Sequence, residues 1–276
     1  MPQVKANDIN INYDQQGSGE PLILLPFLTA DNSCYAFQVA EYAKHFTCFS
    51  VDLRGAGASD KPAGVYSTEL FAEDVSAFMQ AMGIERAHVM GLSLGGAVGL
   101  WLAAKHPKKV KSLSVHSGWT KTDPFLKTVV EGWQVMAQAL GSVTELVIQG
   151  IFPWCLTPEL YANQPDYLKT LSEFVRSRPP QPLDAFMQHA NAVVAHDVES
   201  QLSKITAPTL LTFGRYDMIT SRFAAPMEAN IPDTELIVFE KSSHTPIYEG
   251  TEEFNQKTLA FLMRHSGNVA IAGTPN

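Results

Sequence analysis

"VMGLSLGGAVGL", residues 89–100, decides how the rest of the chain is read. It begins as an apolar run with the character of a strand. It then sets Ser93 between Gly91 and Gly95 and continues as "AVGLWLAAKH", an Ala- and Leu-rich stretch with the character of a helix. A Gly/Ser cluster between two elements can be no more than a turn. A serine at a strand-to-helix corner with glycine on both sides is also what a nucleophile needs. The sharp turn exposes the hydroxyl, small neighbours keep strand and helix apart, and the first N–H groups of the helix stay unpaired. Gly91-Leu92-Ser93-Leu94-Gly95 fits G-x-S-x-G, and the Leu94 N–H falls where it can hold a developing oxyanion.

The corner sits inside an alternating pattern. "ININY" (9–13) alternates like a half-exposed strand, while "PLILLPF" (21–27), "FTCFSVDL" (46–53), "AHVMGL" (87–92) and "VKSLSVHS" (110–117) are continuous apolar runs. Between them, "TELFAEDVSAFMQAMG" (68–83) reads as a helix capped by Ser67 and stopped by Gly83, and "LGGAVGLWLAAKHP" (94–107) as one stopped by Pro107. Apolar strands separated by helices predict a parallel sheet covered on both faces. From 118 to 197 only helical periodicity is found, after which "PTLLTFGRYD" (208–217) and "TELIVFEKSSH" (234–244) return to strands. The fold class is therefore α/β: a mostly parallel twisted sheet flanked by helices, with a helical cap inserted. Residues 1–117 and 198–264 form the core, 118–197 the cap, and 265–276 a loose tail.

With 276 residues, 45% of them hydrophobic, the chain can bury one large core. It carries 28 acidic against 20 basic side chains, a formal charge of −8, which argues against a nucleic-acid partner. The densest basic stretch, "KHPKKVK" (105–111), falls at a helix end, where cations suit the dipole. Cys34, Cys48 and Cys155 lack the spacing of a disulfide framework or a zinc site. "MPQVKANDININYDQQGSGE" has no apolar signal core, and no run approaches the ~20 apolar residues of a membrane span. The expectation is a cytoplasmic protein with no membrane partner, its oligomeric state left open.

A serine nucleophile needs a base, and the base an orienting acid, in the chain order Ser, Asp or Glu, His. Asp217 follows the apolar strand "PTLLTF" and His244 follows "ELIVFE", so both fall at strand carboxyl ends, on the edge that holds Ser93. Among the other histidines, His45 and His88 flank strand starts, His106 a helix end, and His265 lies near the tail. His189 and His196 are read as surface positions of the helical segment. His116 ends the strand "VKSLSVH" and competes for a place on the pocket floor.

Four stretches together, "DLRGAGASDKP" (52–62), "GLSLGG" (91–96), "FGRYD" (213–217) and "SSHTPIYEGTEEFNQKTLAFL" (242–262), make the chain resemble the α/β-hydrolase family over residues 8–264, closest to small bacterial esterases and lactonases with a helical cap. The resemblance implies Ser93 as nucleophile, Asp217 as acid, His244 as base and no cofactor or metal. It also exposes a departure. Where the family has His-Gly after the strand, this chain has Pro26-Phe27, which puts Leu28 at the second oxyanion donor position beside Leu94.

The implied reaction is acyl transfer to water, with a small-molecule carboxylic ester as partner. Apolar groups gathered around the cap (Trp119, Phe125, Trp133, Phe152, Trp154, Phe186, Met136 and Met187) suggest a pocket for small to medium acyl groups, with Phe27, His116 and Met218 beside it. Cap cations are few (Lys121, Lys127, Lys169, Arg176 and Arg178), which disfavours a dianionic substrate. Serine at the elbow argues against the dehalogenase and epoxide-hydrolase relatives, which use Asp there. The alternatives are a lactonase acting on enol-lactones or acyl-homoserine lactones, a meta-cleavage-type carbon–carbon hydrolase, and a ligand receptor on the same fold.

Overall fold

Period-two alternation along the strands feeds two apolar layers, one on each face of the sheet. In the computed structural model, which describes residues 2–267, eight strands form this sheet: β1 (Gln3–Ala6), β2 (Ile9–Gly17), β3 (Glu20–Leu25), β4 (Phe46–Val51), β5 (Ala87–Leu92), β6 (Val110–His116), β7 (Thr209–Gly214) and β8 (Thr234–Phe239). Their order is β1-β2-β4-β3-β5-β6-β7-β8. Pairing is antiparallel from β1 through β2 to β4 and parallel across the rest.

Ile23, Leu25, Val89, Leu113, Val115, Leu211 and Phe213 face one layer, with Phe71, Phe78, Val98 and Leu102 from helices α2 (Thr68–Ala81) and α3 (Leu94–Lys105). Leu22, Leu24, Met90, Leu92 and Leu210 face the other, with Tyr42 from α1 (Ala36–Tyr42) and Phe254 and Phe261 from the helix Thr251–Arg264. Burial on both faces is why these strands read as unbroken apolar runs. Ser67 caps α2 by accepting from the Leu70 N–H at 3.0 Å, and the chain turns at Gly83, φ +68°.

Between β6 and β7 the chain forms helices joined by short loops, with one isolated bridge. Helix α4 (Pro124–Leu140) starts on an Asp123 cap that accepts from the Leu126 N–H at 2.8 Å. A helical run from Val143 to Cys155 contains a π-helical turn, Val147–Ile151. Pro153, which cannot donate to Gln149, explains why the regular ladder breaks there. Helices Pro158–Asn163, Pro165–Ser177 and Leu183–Val194 follow. The two ends of the segment lie side by side. Lys121 and Asp197 form an antiparallel bridge and a 2.7 Å ion pair, and the Thr122 N–H donates to His196 O at 2.9 Å.

The structure adds one strand to the sequence reading and corrects the placement of two histidines. β1, "QVKA", was not visible as a strand because it is polar, with only Ala6 buried. His189 and His196 are buried rather than on the surface. His189 Nε2 donates to Arg54 O at 2.5 Å, and His196 sits between Thr68 Oγ1 (2.7 Å) and Trp119 O (3.1 Å), so both pin the helical segment to the core. The expected tail, 265–276, falls largely outside the described residues, but its first part is tied down: the Gly267 N–H donates to Glu20 Oε1 at 2.9 Å. Among the described residues, no helix is long and apolar enough to cross a membrane.

Candidate active site

Strands β5, β7 and β8 end at Leu92, Gly214 and Phe239, and the loops beyond them carry Ser93, Asp217 and His244 to one edge of the sheet. Ser93 has φ +52° and ψ −115°, a backbone that residues with a Cβ rarely adopt and that costs roughly 1–3 kcal/mol. The corner is held by the Ser93 N–H donating to His116 O at 2.8 Å and by the Ala97 N–H donating to Ser93 O at 3.0 Å. Although Ser93 stands at the N-cap of α3, its side chain makes no capping bond, so the hydroxyl is not spent on the helix. Leu94, the first helical residue, has an N–H with no intrahelical acceptor.

The flanking glycines are set by distance. A Cβ on Gly91 would lie 2.2 Å from the Gly95 carbonyl carbon and oxygen, and one on Gly95 would lie 2.0 Å from Leu25 O and 2.6 Å from its carbon. These are backbone atoms at the end of β3 and the start of α3, and they cannot rotate away. Gly95→Ala is therefore expected to lower stability by about 3 kcal/mol, the upper range for overpacking, and to displace the loop that carries Leu28. Gly132→Ala, on the exposed face of α4 with nothing within 4 Å, is expected to stabilise by about 0.5–1 kcal/mol. Urea midpoints for the two variants check both signs.

His244 Nδ1 lies 3.1 Å from Asp217 Oδ2. The ionised carboxylate can only accept, so the ring proton sits on Nδ1, leaving Nε2 to take a proton. Asp217 Oδ1 accepts from the N–H groups of Ile219 (2.8 Å) and Thr220 (3.0 Å). Thr220 Oγ1 stands 2.7 Å from Asp217 Oδ2 and 2.9 Å from Ser117 O, with one proton to give to either. Burial raises the Asp217 pKa, but the charge of His244 and the hydrogen bonds from His244 and Thr220 outweigh it, leaving the carboxyl below its ordinary value. Glu249 braces the same loop by accepting from the N–H groups of Ser243 (2.7 Å) and Thr157 (2.6 Å), which ties it to the helical segment.

Ser93 and His244 open into one cavity of about 130 Å³. Its walls are mostly apolar and come mainly from the helical segment: Leu126, Val130, Trp133, Val147, Ile151, Phe152, Leu171 and Val175. Phe27, Trp119 and Trp133, expected in the pocket, line it, and so does Leu28, expected as an oxyanion donor. The Leu28 amide has no hydrogen-bond partner among the described residues.

His116, Trp154, Phe186 and Met218 do not line the cavity. His116 points into the opposite layer, edge-on to Phe254 at 4.8 Å, with Nδ1 2.7 Å from Thr212 Oγ1; burial pushes its pKa down to about 3. Only its carbonyl, which accepts from Ser93, serves the site. Phe186 is fully buried on the helix Leu183–Val194, Trp154 packs against Phe125 at 6.3 Å, and Met218 is 65% exposed. Helical periodicity gave no means of telling which aromatic faces the cavity and which faces a neighbouring helix. Thr220 escaped the sequence reading too, though an N–H and a hydroxyl three residues after an Asp are a turn signal. Among the described residues, no cluster of three or more His, Cys, Asp or Glu could hold a metal ion.

A serine at a strained strand-to-helix corner, a His–Asp pair and the sheet order that brings them to one edge fit one class of protein, and residues 20–251 match the family model described as alpha/beta hydrolase fold. The chain belongs to that family. It is similar to the RutD protein of Azorhizobium caulinodans, named for carbamate hydrolysis, at 24% identity over 95% of this chain and 98% of that protein. It is 26% identical to 3-oxoadipate enol-lactonase 2 of Acinetobacter baylyi, over 94% of this chain and 95% of that one. The crystal structure of the enol-lactonase from Burkholderia xenovorans LB400 superimposes with a TM-score of 0.85 at 25% identity, over 95% of this chain and all of that one.

Proposed function

We propose that this hydrolase cleaves carboxylic esters of short to medium, apolar or aromatic acyl groups through an acyl-enzyme on Ser93. The observation that carries the proposal is the uncapped Ser93 hydroxyl opening, with the Asp217-oriented His244, into one apolar cavity. In this mechanism His244 Nε2 takes the Ser93 proton as Oγ attacks the ester carbonyl. Asp217 holds the ring in the productive tautomer and stabilises the imidazolium. The N–H groups of Leu94 and Leu28 hold the oxyanion. His244 then protonates the leaving alkoxide, and water, deprotonated by the same nitrogen, releases the acid. The partner is a small-molecule ester, and the reaction uses no cofactor.

At about 130 Å³ the cavity is smaller than the roughly 300–1,000 Å³ of drug-sized sites, which favours a short acyl chain. The names of the enol-lactonase relatives support a second reading, in which the scissile ester lies within a ring; the same residues would open it. A panel of 4-nitrophenyl esters from acetyl to decanoyl, with one γ-lactone and one carbamate, tests both. Turnover is expected to peak at short chains, and a fluorophosphonate should add its mass to the peptide containing Ser93. A folded protein inert on every ester and unlabelled would overturn the proposal. Turnover of the lactone alone would select the second reading.

A further inference from the structure

Among the described residues that line the cavity, one permanent cation is found, Arg178, and a carboxylate already meets it. Asp31 Oδ2 accepts from Arg178 Nε at 2.9 Å and from Nη2 at 2.7 Å. Both partners are held in place. Arg178 precedes Pro179 and Pro180, and its extended backbone (φ −84°, ψ 148°) is the one a following proline enforces. Asp31 caps the short turn after Leu28, its Oδ1 accepting from the Ser33 N–H at 3.0 Å and from the Ser33 hydroxyl. The pair therefore spans the seam between the helical segment and the loop that supplies Leu28, inside the cavity wall. The other titratable liners add no anion: burial pushes the Cys34 and Cys155 thiols and the Tyr248 phenol well up.

We propose that Asp31 occupies the carboxylate-binding position of Arg178 and thereby makes the cavity select substrates whose acyl end is uncharged. This rests on the acyl-transfer reading of Ser93. An anionic acyl end would have to displace Asp31 or lie beside it as a like charge in an apolar cavity, and both are costly. A neutral acyl chain meets the apolar wall and leaves the pair intact. With Asp31 neutralised, the guanidinium is open to a substrate carboxylate, which it can meet with two parallel hydrogen bonds. The pair is thus a specificity determinant and not only a latch across the seam.

The test compares 4-nitrophenyl pentanoate with 4-nitrophenyl hemiglutarate, esters of similar length that differ in an acyl-end carboxylate. The wild type is expected to favour the neutral ester in kcat/KM by tenfold or more. Asp31→Asn keeps the Oδ1 acceptor for Ser33 but removes the charge. It is expected to shift the ratio towards the hemiglutarate by about tenfold, mainly through KM, the size of one charge-assisted hydrogen-bonded pair. Adding Arg178→Gln should abolish the gain. A wild type that accepts both esters equally would overturn the proposal, as would equal losses on both in Asp31→Asn. Should Asp31→Asn fail to fold, Asp31→Ser, which keeps a cap acceptor, serves instead. In a Ser93→Ala background, calorimetric titration with the two intact esters reads the same preference as a ratio of Kd values. An enzyme that turns over neither ester would refute acyl transfer, while that ratio still decides the role of Asp31.

Discussion

Ser93→Ala is expected to lose about 10⁴-fold or more in kcat on the best ester of the panel while KM changes little. On the proposed mechanism removing Oγ deletes the attacking atom, and Ser33, the other serine that lines the cavity, does not replace it because it gives its hydroxyl to Asp31. Substrate binding survives because the apolar wall and the Leu28 and Leu94 amides are untouched. The fold survives as well. The Ser93 side chain caps nothing, and the bonds that hold the corner are backbone bonds to His116 and from Ala97. Burst kinetics with a 4-nitrophenyl ester should show one equivalent of prompt nitrophenolate in the wild type and none in the variant. A variant that keeps a tenth of the wild-type rate would show that Ser93 is not the nucleophile.

The second large effect is on stability, as pH falls from 7 towards 5. Burial pushes the pKa of His116 down to about 3 and those of His189 and His196 down to about 4, against 6.5 for a free histidine. Between pH 4 and 6.5 the unfolded chain therefore binds protons that the folded chain refuses. Stability is full above pH 6.5 and is lost as pH falls through that window. Each histidine contributes about 1.4 kcal/mol per pH unit, so the three together cost on the order of 4 kcal/mol per unit. Glu249 and Asp52, held above their ordinary values by burial, oppose this trend where they take up protons. Asp217, held below its ordinary 3.8, begins to add to the loss only at more acid pH. Urea unfolding followed by tryptophan fluorescence at pH 7, 6 and 5 measures the slope. His189→Gln keeps a donor for Arg54 O without the titration and is expected to flatten the slope by close to one proton. A midpoint independent of pH from 7 to 5 would refute the assignment.

How far the sequence could be read depended on which physical force left a local mark. Two-sided burial wrote β3, β5, β6 and β7 as continuous apolar runs, and backbone crowding at the elbow left glycine at 91 and 95 because no other residue fits there. Asp217 and His244 could be placed because each follows an apolar run directly. Contacts between distant segments leave no such trace. Nothing local to Arg178 says that Asp31 will face it, and nothing in the helical period of Leu183–Val194 says that His189 will reach Arg54. The π-helical turn shows in the sequence only as Pro153, and β1 owes its existence to pairing with β2 rather than to its own side chains.

The clasp at Lys121 and Asp197 means that residues 122–196 leave the core and return to it at almost the same point. Ser93, Asp217, His244, Leu28 and Leu94 all lie outside that stretch, while Leu126, Val130, Trp133, Val147, Ile151 and Phe152 lie inside it. On the proposed mechanism the groups that break the bond lie outside the stretch, while much of the wall that meets the substrate lies inside it. A replacement insert would have to close on the same two residues and also restore the bonds that this one gives to the core, Thr157 to Glu249 and Arg178 to Asp31, so its freedom to change lies in the wall residues between those ties.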